Sequence, residues 1–125
     1  MAENNLEYAF NWLKSEGNTI FDLVKEQILA ANPIMGAIEF DIHDCTKGQM
    51  PQKYASAWTA AEGIVGASYK PLITIGNQEV KGTNYWFFAE QTLITATPEK
   101  HIVTIAINEF GGNYTLVNGS IVRIF

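Results

Sequence analysis

The feature that most restricts the fold is a succession of four apolar segments that fill the second half of the chain. They read SYKPLITI, TNYWFFAEQTLITA, HIVTIAINEF and YTLVNGSIVRIF, and they are joined by GNQEVKG, TPEK and GGN. Their β-branched and aromatic residues favour strands, and connections this short join strands that are antiparallel neighbours. The sequence therefore predicts an antiparallel meander after Gly66.

A helix is predicted before the meander, over residues 51–65. Pro51 suits the first turn of a helix, where its missing N–H group costs nothing. Apolar residues then recur at spacings of four, three and four, at Tyr54, Trp58, Ala61 and Val65. This apolar face can cover one side of the sheet. Gly63 and Gly66 weaken the helix and then end it.

A strand and a helical segment are predicted further upstream. Residues 35–41, MGAIEFD, alternate between apolar and polar side chains, which is typical of a strand. Residues 4–31 predict two helices or one kinked helix that ends at Asn32-Pro33. Their apolar stripe consists of Leu6, Phe10, Leu13, Ile20, Leu23, Val24 and Ile28.

The predicted fold class is α+β, with one helix packed across an antiparallel sheet of four to five strands. We divide the chain into an N-terminal helical extension, residues 1–33, and a sheet-bearing domain, residues 34–125. A chain of 125 residues that is 47% apolar can bury one core, so a single soluble domain carries the extension.

Charge and chain termini narrow the function classes. Residues 1–50 hold eight acidic residues and three lysines, and the whole chain has a net charge of −5 and one arginine. Without clustered cations no nucleic-acid partner is expected, and no apolar run reaches the ~20 residues of a membrane span. The N-terminus does not resemble a signal peptide, so the protein is expected in the cytoplasm unless a leader has been removed.

Chemistry-bearing residues are few, and we expect neither an enzyme nor a cofactor. Cys45 with His43 or His101 would need an orienting group and an oxyanion site to act as a nucleophile, and neither can be identified. Asp41, His43, Asp44 and Cys45 are metal-ligand types in one loop, but a solvated loop is the preferred interpretation. Large aromatic residues are assigned to the core rather than to a pocket: Trp58, Trp86, Phe87 and Phe88.

One short motif points to a family. Gln78-Glu79-Val80-Lys81-Gly82 lies between two predicted strands, is followed by GTNY from Gly82, and is preceded by ASYKPL. This pattern resembles the first inhibitory hairpin of cystatins and stefins, which carries Gln-x-Val-x-Gly. Gly36, 42 positions before Gln78, resembles the glycine of the family's N-terminal trunk. The resemblance covers about residues 34–125.

The resemblance implies a cystatin-like fold and a reversible inhibitor, or binding wedge, against papain-like cysteine proteases. In the family the trunk and two hairpins fill the protease cleft, so the implied binding residues are Gly36, Gln78, Glu79, Val80, Lys81, Gly82, Phe110, Gly111 and Gly112. The second hairpin differs from that of secreted cystatins, since NEFGGNY replaces Pro-Trp. The alternative is a non-inhibitory protein-interaction or small-ligand-binding module of the same fold.

A second copy of the chain is the other partner that we expect. Stefin-like proteins exchange strands at the first hairpin, and β-branched Val80 in a short turn predicts stored strain there. The expectation is a domain-swapped dimer in which the strands on either side of the turn become one continuous strand.

Overall fold

The computed structural model describes residues 38–123. One α-helix, two short 3-10 helices and six strands occupy this part of the chain. In order they are β1 (Ile38–Asp44), a 3-10 helix (Cys45–Lys47), α1 (Gln52–Trp58), a 3-10 helix (Ala61–Gly63), β2 (Ala67–Val80), β3 (Gly82–Leu93), β4 (Lys100–Phe110), β5 (Asn113–Leu116) and β6 (Val122–Arg123).

The strands form one antiparallel sheet in the order β1-β2-β3-β4-β5, and β6 also pairs with β4. The antiparallel meander is confirmed, and the fold is an α+β arrangement with one short helix. The last predicted strand is broken because residues 117–121 leave the ladder between β5 and β6. There the buried hydroxyl of Ser120 accepts a hydrogen bond from the backbone N–H of Ala106 at 3.1 Å, in place of a strand carbonyl.

The helix is shorter than the predicted span of residues 51–65. It ends at Trp58, where Ala60 N–H donates to the Ala57 carbonyl and Thr59 Oγ1 donates to the Ser56 carbonyl. A 3-10 turn follows, and the chain then leaves through Gly66 at φ +94°. The prediction that Val65 belongs to the apolar face is therefore wrong, since its side chain is 95% exposed.

The helix packs on one side of the sheet, which we call the helix face. Tyr54 and Trp58 meet Phe87 edge to face, with ring centroids 5.8 and 5.0 Å apart. Edge-to-face contact is the geometry that aromatic quadrupoles favour. The buried members of this cluster are Tyr54, Ala57, Trp58, Ala61, Phe87, Ala89, Val103, Ile105 and Ile107.

The opposite side of the sheet is also apolar and buried, and we call it the second face. Its cluster consists of Leu72, Ile73, Ile75, Trp86, Phe88, Ile102 and Ala106. Successive residues of a strand point to opposite faces, so Trp86 and Phe88 lie on one side of β3 and Phe87 on the other. The assignment of Trp58, Trp86, Phe87 and Phe88 to the core is confirmed, since each is at most 4% exposed.

Several predictions concern residues that the structure does not describe. The helices of residues 4–31, the extension 1–33 and Gly36 lie outside residues 38–123. The strand predicted from residue 35 is observed from Ile38 and continues to Asp44. Within the described residues, no helix has the length and apolarity that a membrane crossing requires.

Candidate functional site at the two hairpin turns

The first hairpin is tighter than the sequence predicts. We expected GNQEVKG, residues 76–82, to be a connection, but β2 continues to Val80 and only Lys81 separates it from β3. Gln78 pairs with Asn84 and Glu79 with Thr83. The prediction fails because polar residues in a protruding ladder resemble a loop in the sequence. Gly82 has φ +87°, a conformation that side chains with a Cβ rarely adopt.

The second hairpin is a two-residue turn between β4 and β5. Gly111 and Gly112 have φ angles of +59° and +84°, as a type I′ turn requires at both central positions. The Glu109 carboxylate accepts a hydrogen bond from the Gly112 N–H at 3.0 Å and closes the turn. Phe110 precedes the turn and is 52% exposed, which is unusual for a phenyl ring.

The two turns lie side by side at one end of the sheet. Thr83 pairs with Glu109, and a Cβ on Gly82 would overlap the Glu109 carbonyl and reach the Phe110 Cβ at 3.0 Å. The Lys81 ammonium lies 5.4 Å from the centroid of the Phe110 ring, within range of a cation–π contact. Residues predicted from the first and second hairpins are thus brought together, while Gly36 lies outside the described residues.

A buried polar network supports the first hairpin from the second face. Gln78 is 2% exposed, and its Oε1 accepts hydrogen bonds from Trp86 Nε1 at 2.9 Å and Asn84 Nδ2 at 3.3 Å. Asn108 Nδ2 donates to Asn84 Oδ1 at 2.9 Å and to the Lys81 carbonyl at 3.1 Å. Gln78 therefore holds the turn in place from inside the sheet rather than presenting its amide to solvent.

Sequence reasoning missed Asn84 and Asn108 as members of this network. A signal exists, because Asn84 is two residues before Trp86 and Asn108 two residues after Ala106, so both share the face of buried apolar residues. A polar residue on the face of a strand that otherwise carries apolar side chains indicates a buried hydrogen-bond network.

A shallow depression of about 310 Å³ adjoins the turns. Its polar lining residues include Lys81, Asn84 and Asn108. The remaining lining residues are Val80, Thr115, Leu116 and Val117. Exposed groups of both signs, including Glu79 and Lys81, stand at this end of the sheet.

The loop that contains Asp41, His43, Asp44 and Cys45, residue types that can bind metals, is held in place by hydrogen bonds. Thr74 Oγ1 accepts from the His43 N–H at 2.9 Å and donates to the Asp41 carbonyl at 2.7 Å, which fills a bulge in β1. His43 Nε2 lies 2.6 Å from Asp41 Oδ1, and Asp44 caps the 3-10 helix that begins at Cys45. Within residues 38–123, no group of three or more His, Cys, Asp or Glu is placed to hold a metal ion.

The Cys45 thiol has the environment of an unreactive cysteine. Its Sγ lies 3.7 Å from Met50 Sδ and 4.0 Å from the His43 carbonyl oxygen, whereas the His43 imidazole contacts Asp41. Burial, with the nearby Asp44 carboxylate as a smaller contribution, raises the pKa of the thiol from 9.0 to about 11. His101 contacts Glu99 at 3.2 Å. Nothing in this geometry activates the thiol.

Comparison with known protein families, curated proteins and solved structures finds no match to this chain.

Proposed function

We propose that the protein is a reversible, non-catalytic binding wedge that enters the cleft of a papain-like cysteine protease with its two hairpin turns. The observation that carries the proposal is that both turns project side by side from one end of the sheet, with Lys81 and Phe110 in contact at their tips. The family resemblance of Gln78–Gly82 supplies the class of partner.

The rigidity of the turns favours binding. Lys81 is held between two paired strands, and the Gly111-Gly112 turn is closed by Glu109. A preorganised edge loses less conformational entropy on association than a flexible loop does. We assign the direct contacts to Val80, Lys81 and Phe110, and we assign to Gln78 the role of supporting the first turn.

The direction of β1 is consistent with a third contact from the N-terminal trunk. Ile38 pairs with Gln78, so β1 begins at the end of the sheet that carries both turns. Gly36, two residues earlier in the sequence, is therefore the proposed trunk contact.

Titration of papain activity with the full chain tests the proposal. We expect stoichiometric, reversible inhibition, and we expect Phe110→Ser to weaken it about 10- to 100-fold, as for a central apolar contact. Ile94→Ser is the matched control, because Ile94 is 72% exposed but follows β3 at the opposite end of the sheet. The wedge would be contradicted if the wild-type chain left papain fully active. It would also be contradicted if Ile94→Ser weakened the inhibition as much as Phe110→Ser does.

The depression beside the turns favours a second candidate, a non-inhibitory module that binds a peptide or another small ligand. Its lining combines the amides of Asn84 and Asn108 with the apolar side chains of Val80, Leu116 and Val117, and ligand sites also combine apolar walls with a few polar groups. Thr115→Trp would fill the depression without altering the turns. Reduced ligand binding in this variant, together with unchanged papain activity in the presence of the wild-type chain, would select this candidate.

Strand exchange at the first hairpin remains a proposal for self-association. Opening the turn at Lys81 would let β2 and β3 continue as one strand into a second molecule. Among residues 38–123 only glycines have positive φ, so the strain expected of Val80 does not lie in its φ angle. Gentle heating followed by size-exclusion chromatography should yield a dimer that Val80→Asp suppresses. A wild-type chain that stays monomeric contradicts the exchange.

A further inference from the structure

The outer side of β5 is an open edge of the sheet. β5, Asn113–Leu116, ends the strand order, and all four of its residues are exposed. Among residues 38–123, no strand pairs with β5 on the side away from β4. Backbone groups along such an edge are available for pairing with another chain.

The hydrogen-bond pattern shows which residues of β5 face outward. In an antiparallel ladder, alternate residues direct their N–H and C=O groups to the neighbouring strand, and the residues between direct theirs away from it. Asn113 directly follows a two-residue turn, so its backbone groups face β4. The Val117 N–H donates to the Ala106 carbonyl at 3.0 Å and thus also faces β4. Tyr114 and Leu116 therefore present their N–H and C=O groups to the outside.

The opposite edge of the sheet is protected against pairing with another chain. β1 carries Glu39, Asp41 and Asp44, and its register shifts between Phe40 and His43. Charged side chains and bulges are features that keep edge strands from pairing. β5 reads NYTL, has no charged residue and no proline, and its register with β4 is unbroken. Its short length makes pairing weak and reversible, but does not prevent it.

We propose that β5 pairs with β5 of a second copy of the chain, antiparallel, around a twofold axis at Thr115. In this register Tyr114 lies opposite Leu116 of the second copy, so the outward N–H and C=O groups of both strands pair with each other. The side-chain pairs are Tyr114 with Leu116 and Thr115 with Thr115. Aromatic–aliphatic and Thr–Thr pairs are favourable across strands. The strand is thus complementary to itself, as a twofold interface requires.

Charge complementarity favours a second copy as the occupant. The net charge of the chain is −5, so two copies repel each other unless their contact avoids acidic groups. β5 is uncharged, and Arg123 continues the same edge of the sheet in β6. Arg123 pairs with Val103, and Glu109 shares a strand face with Ile107, so both charged side chains lie on the helix face.

The proposed register brings these opposite charges towards each other. At about 3.4 Å per residue and about 4.8 Å between strands, the Cα atoms of Arg123 and of Glu109 in the second copy lie about 17 Å apart. Two extended side chains shorten the separation of the charges to about the screening length of 8 Å. The attraction is therefore still effective at physiological salt.

This dimer differs from strand exchange at the first hairpin. It forms without opening the turn at Lys81, so it needs no heating and responds to dilution. Because the pairing is antiparallel, the hairpin turns of the two copies point in opposite directions. The inference does not depend on whether those turns bind a protease.

Sedimentation equilibrium of the unheated full chain measures the association. Pairing through one short edge belongs with the small, weak interfaces, so we expect a monomer–dimer equilibrium in which the dimer dominates only near about 1 mM. A wild-type chain that stays monomeric up to this concentration would overturn the proposal. So would a dimer that persists on dilution, because that is the behaviour of exchanged strands.

A charge-swap pair tests the strand and its register. Thr115 is exposed in the monomer, but Thr115→Lys or Thr115→Glu would place like charges opposite each other at the twofold axis. Each variant alone should associate at least about 10-fold more weakly than the wild type, and an equimolar mixture of the two should associate again. Ile94→Lys is the control, because Ile94 is 72% exposed at the other end of the sheet and should leave the association unchanged.

Two results of the charge swap would overturn the proposal. The first is wild-type association of both single variants, which would place the contact elsewhere. The second is a mixture that stays monomeric, because the two Thr115 positions would then not face each other.

Discussion

Gly82 and Gly111 both have positive φ angles, but only Gly82 lies against a neighbouring strand. A Cβ at Gly111 meets nothing within 4 Å, whereas one at Gly82 overlaps the Glu109 carbonyl. Gly111→Ala should cost about 1–2 kcal/mol for the left-handed backbone alone. Gly82→Ala should cost about 1–3 kcal/mol more, because the two hairpins would have to separate. Denaturant unfolding of both variants measures the difference, and equal losses would mean that the hairpins are not in contact.

The raised pKa of Cys45 predicts that its thiol reacts slowly with alkylating reagents. With a pKa of about 11 instead of 9.0, the thiolate that reacts with alkylating reagents is roughly a hundredfold scarcer at pH 8. The alkylation rate of the native chain should keep rising as the pH approaches 11. The chain unfolded in urea provides the control and should react at the ordinary rate. A native rate equal to the unfolded rate at pH 8 would place the thiol in solvent.

At the scale of secondary-structure elements, the end of the helix separates a core residue from an exposed one. Trp58 is 4% exposed and packs on Phe87, while Val65 is 95% exposed. Trp58→Ala should therefore cost about 3–5 kcal/mol in unfolding free energy. Val65→Ala should stay within about 0.5 kcal/mol, as surface substitutions do. Comparable costs in denaturant melts would mean that the helical face continues to Val65.

The elements that the sequence predicts correctly are those in which local pattern and burial agree. The segment from His101 to Phe110 is rich in β-branched residues, and β4 occupies Lys100–Phe110 with His101 to Ile107 all buried. The turn at Gly111-Gly112 is equally local, because two positive φ angles demand glycine or asparagine. Tyr54 and Trp58 were assigned to the buried helix face because their spacing fits one turn of helix, and both are buried.

The elements that the sequence does not predict depend on distant partners. Gln78 is buried only because Trp86 and Asn84 supply donors across the ladder, which no local pattern records. The break after β5 depends on Ser120 reaching the Ala106 N–H. The adjacency of the two turns follows from the pairing of Thr83 with Glu109, 26 residues apart in the sequence. The candidate site could be predicted as two hairpins, but not as one surface.

At the scale of the whole molecule, the strands differ in how deeply the sheet encloses them. β3 pairs with β2 on one side and β4 on the other, and Trp86, Phe87 and Phe88 bury both of its faces. All four residues of β5 are exposed, and β5 lies at the edge of the sheet. Amide hydrogens of β5 should therefore exchange with solvent at least roughly 100-fold faster than those of β3. Exchange monitored by NMR measures both strands together, and similar rates would mean that the sheet opens as one unit.

This difference has a consequence for the paired turns. The first turn is continuous with β3, whose amides should be released only when the whole domain unfolds, whereas the second turn leads into β5, which opens locally. A partner that binds only the folded chain through both turns should slow exchange in both strands, because binding competes with unfolding of the domain and with local opening of β5. The slowing is measurable sooner in β5, whose amides exchange in a shorter time. The effect of such a partner should therefore be detected first in Asn113–Leu116, a strand that it need not touch.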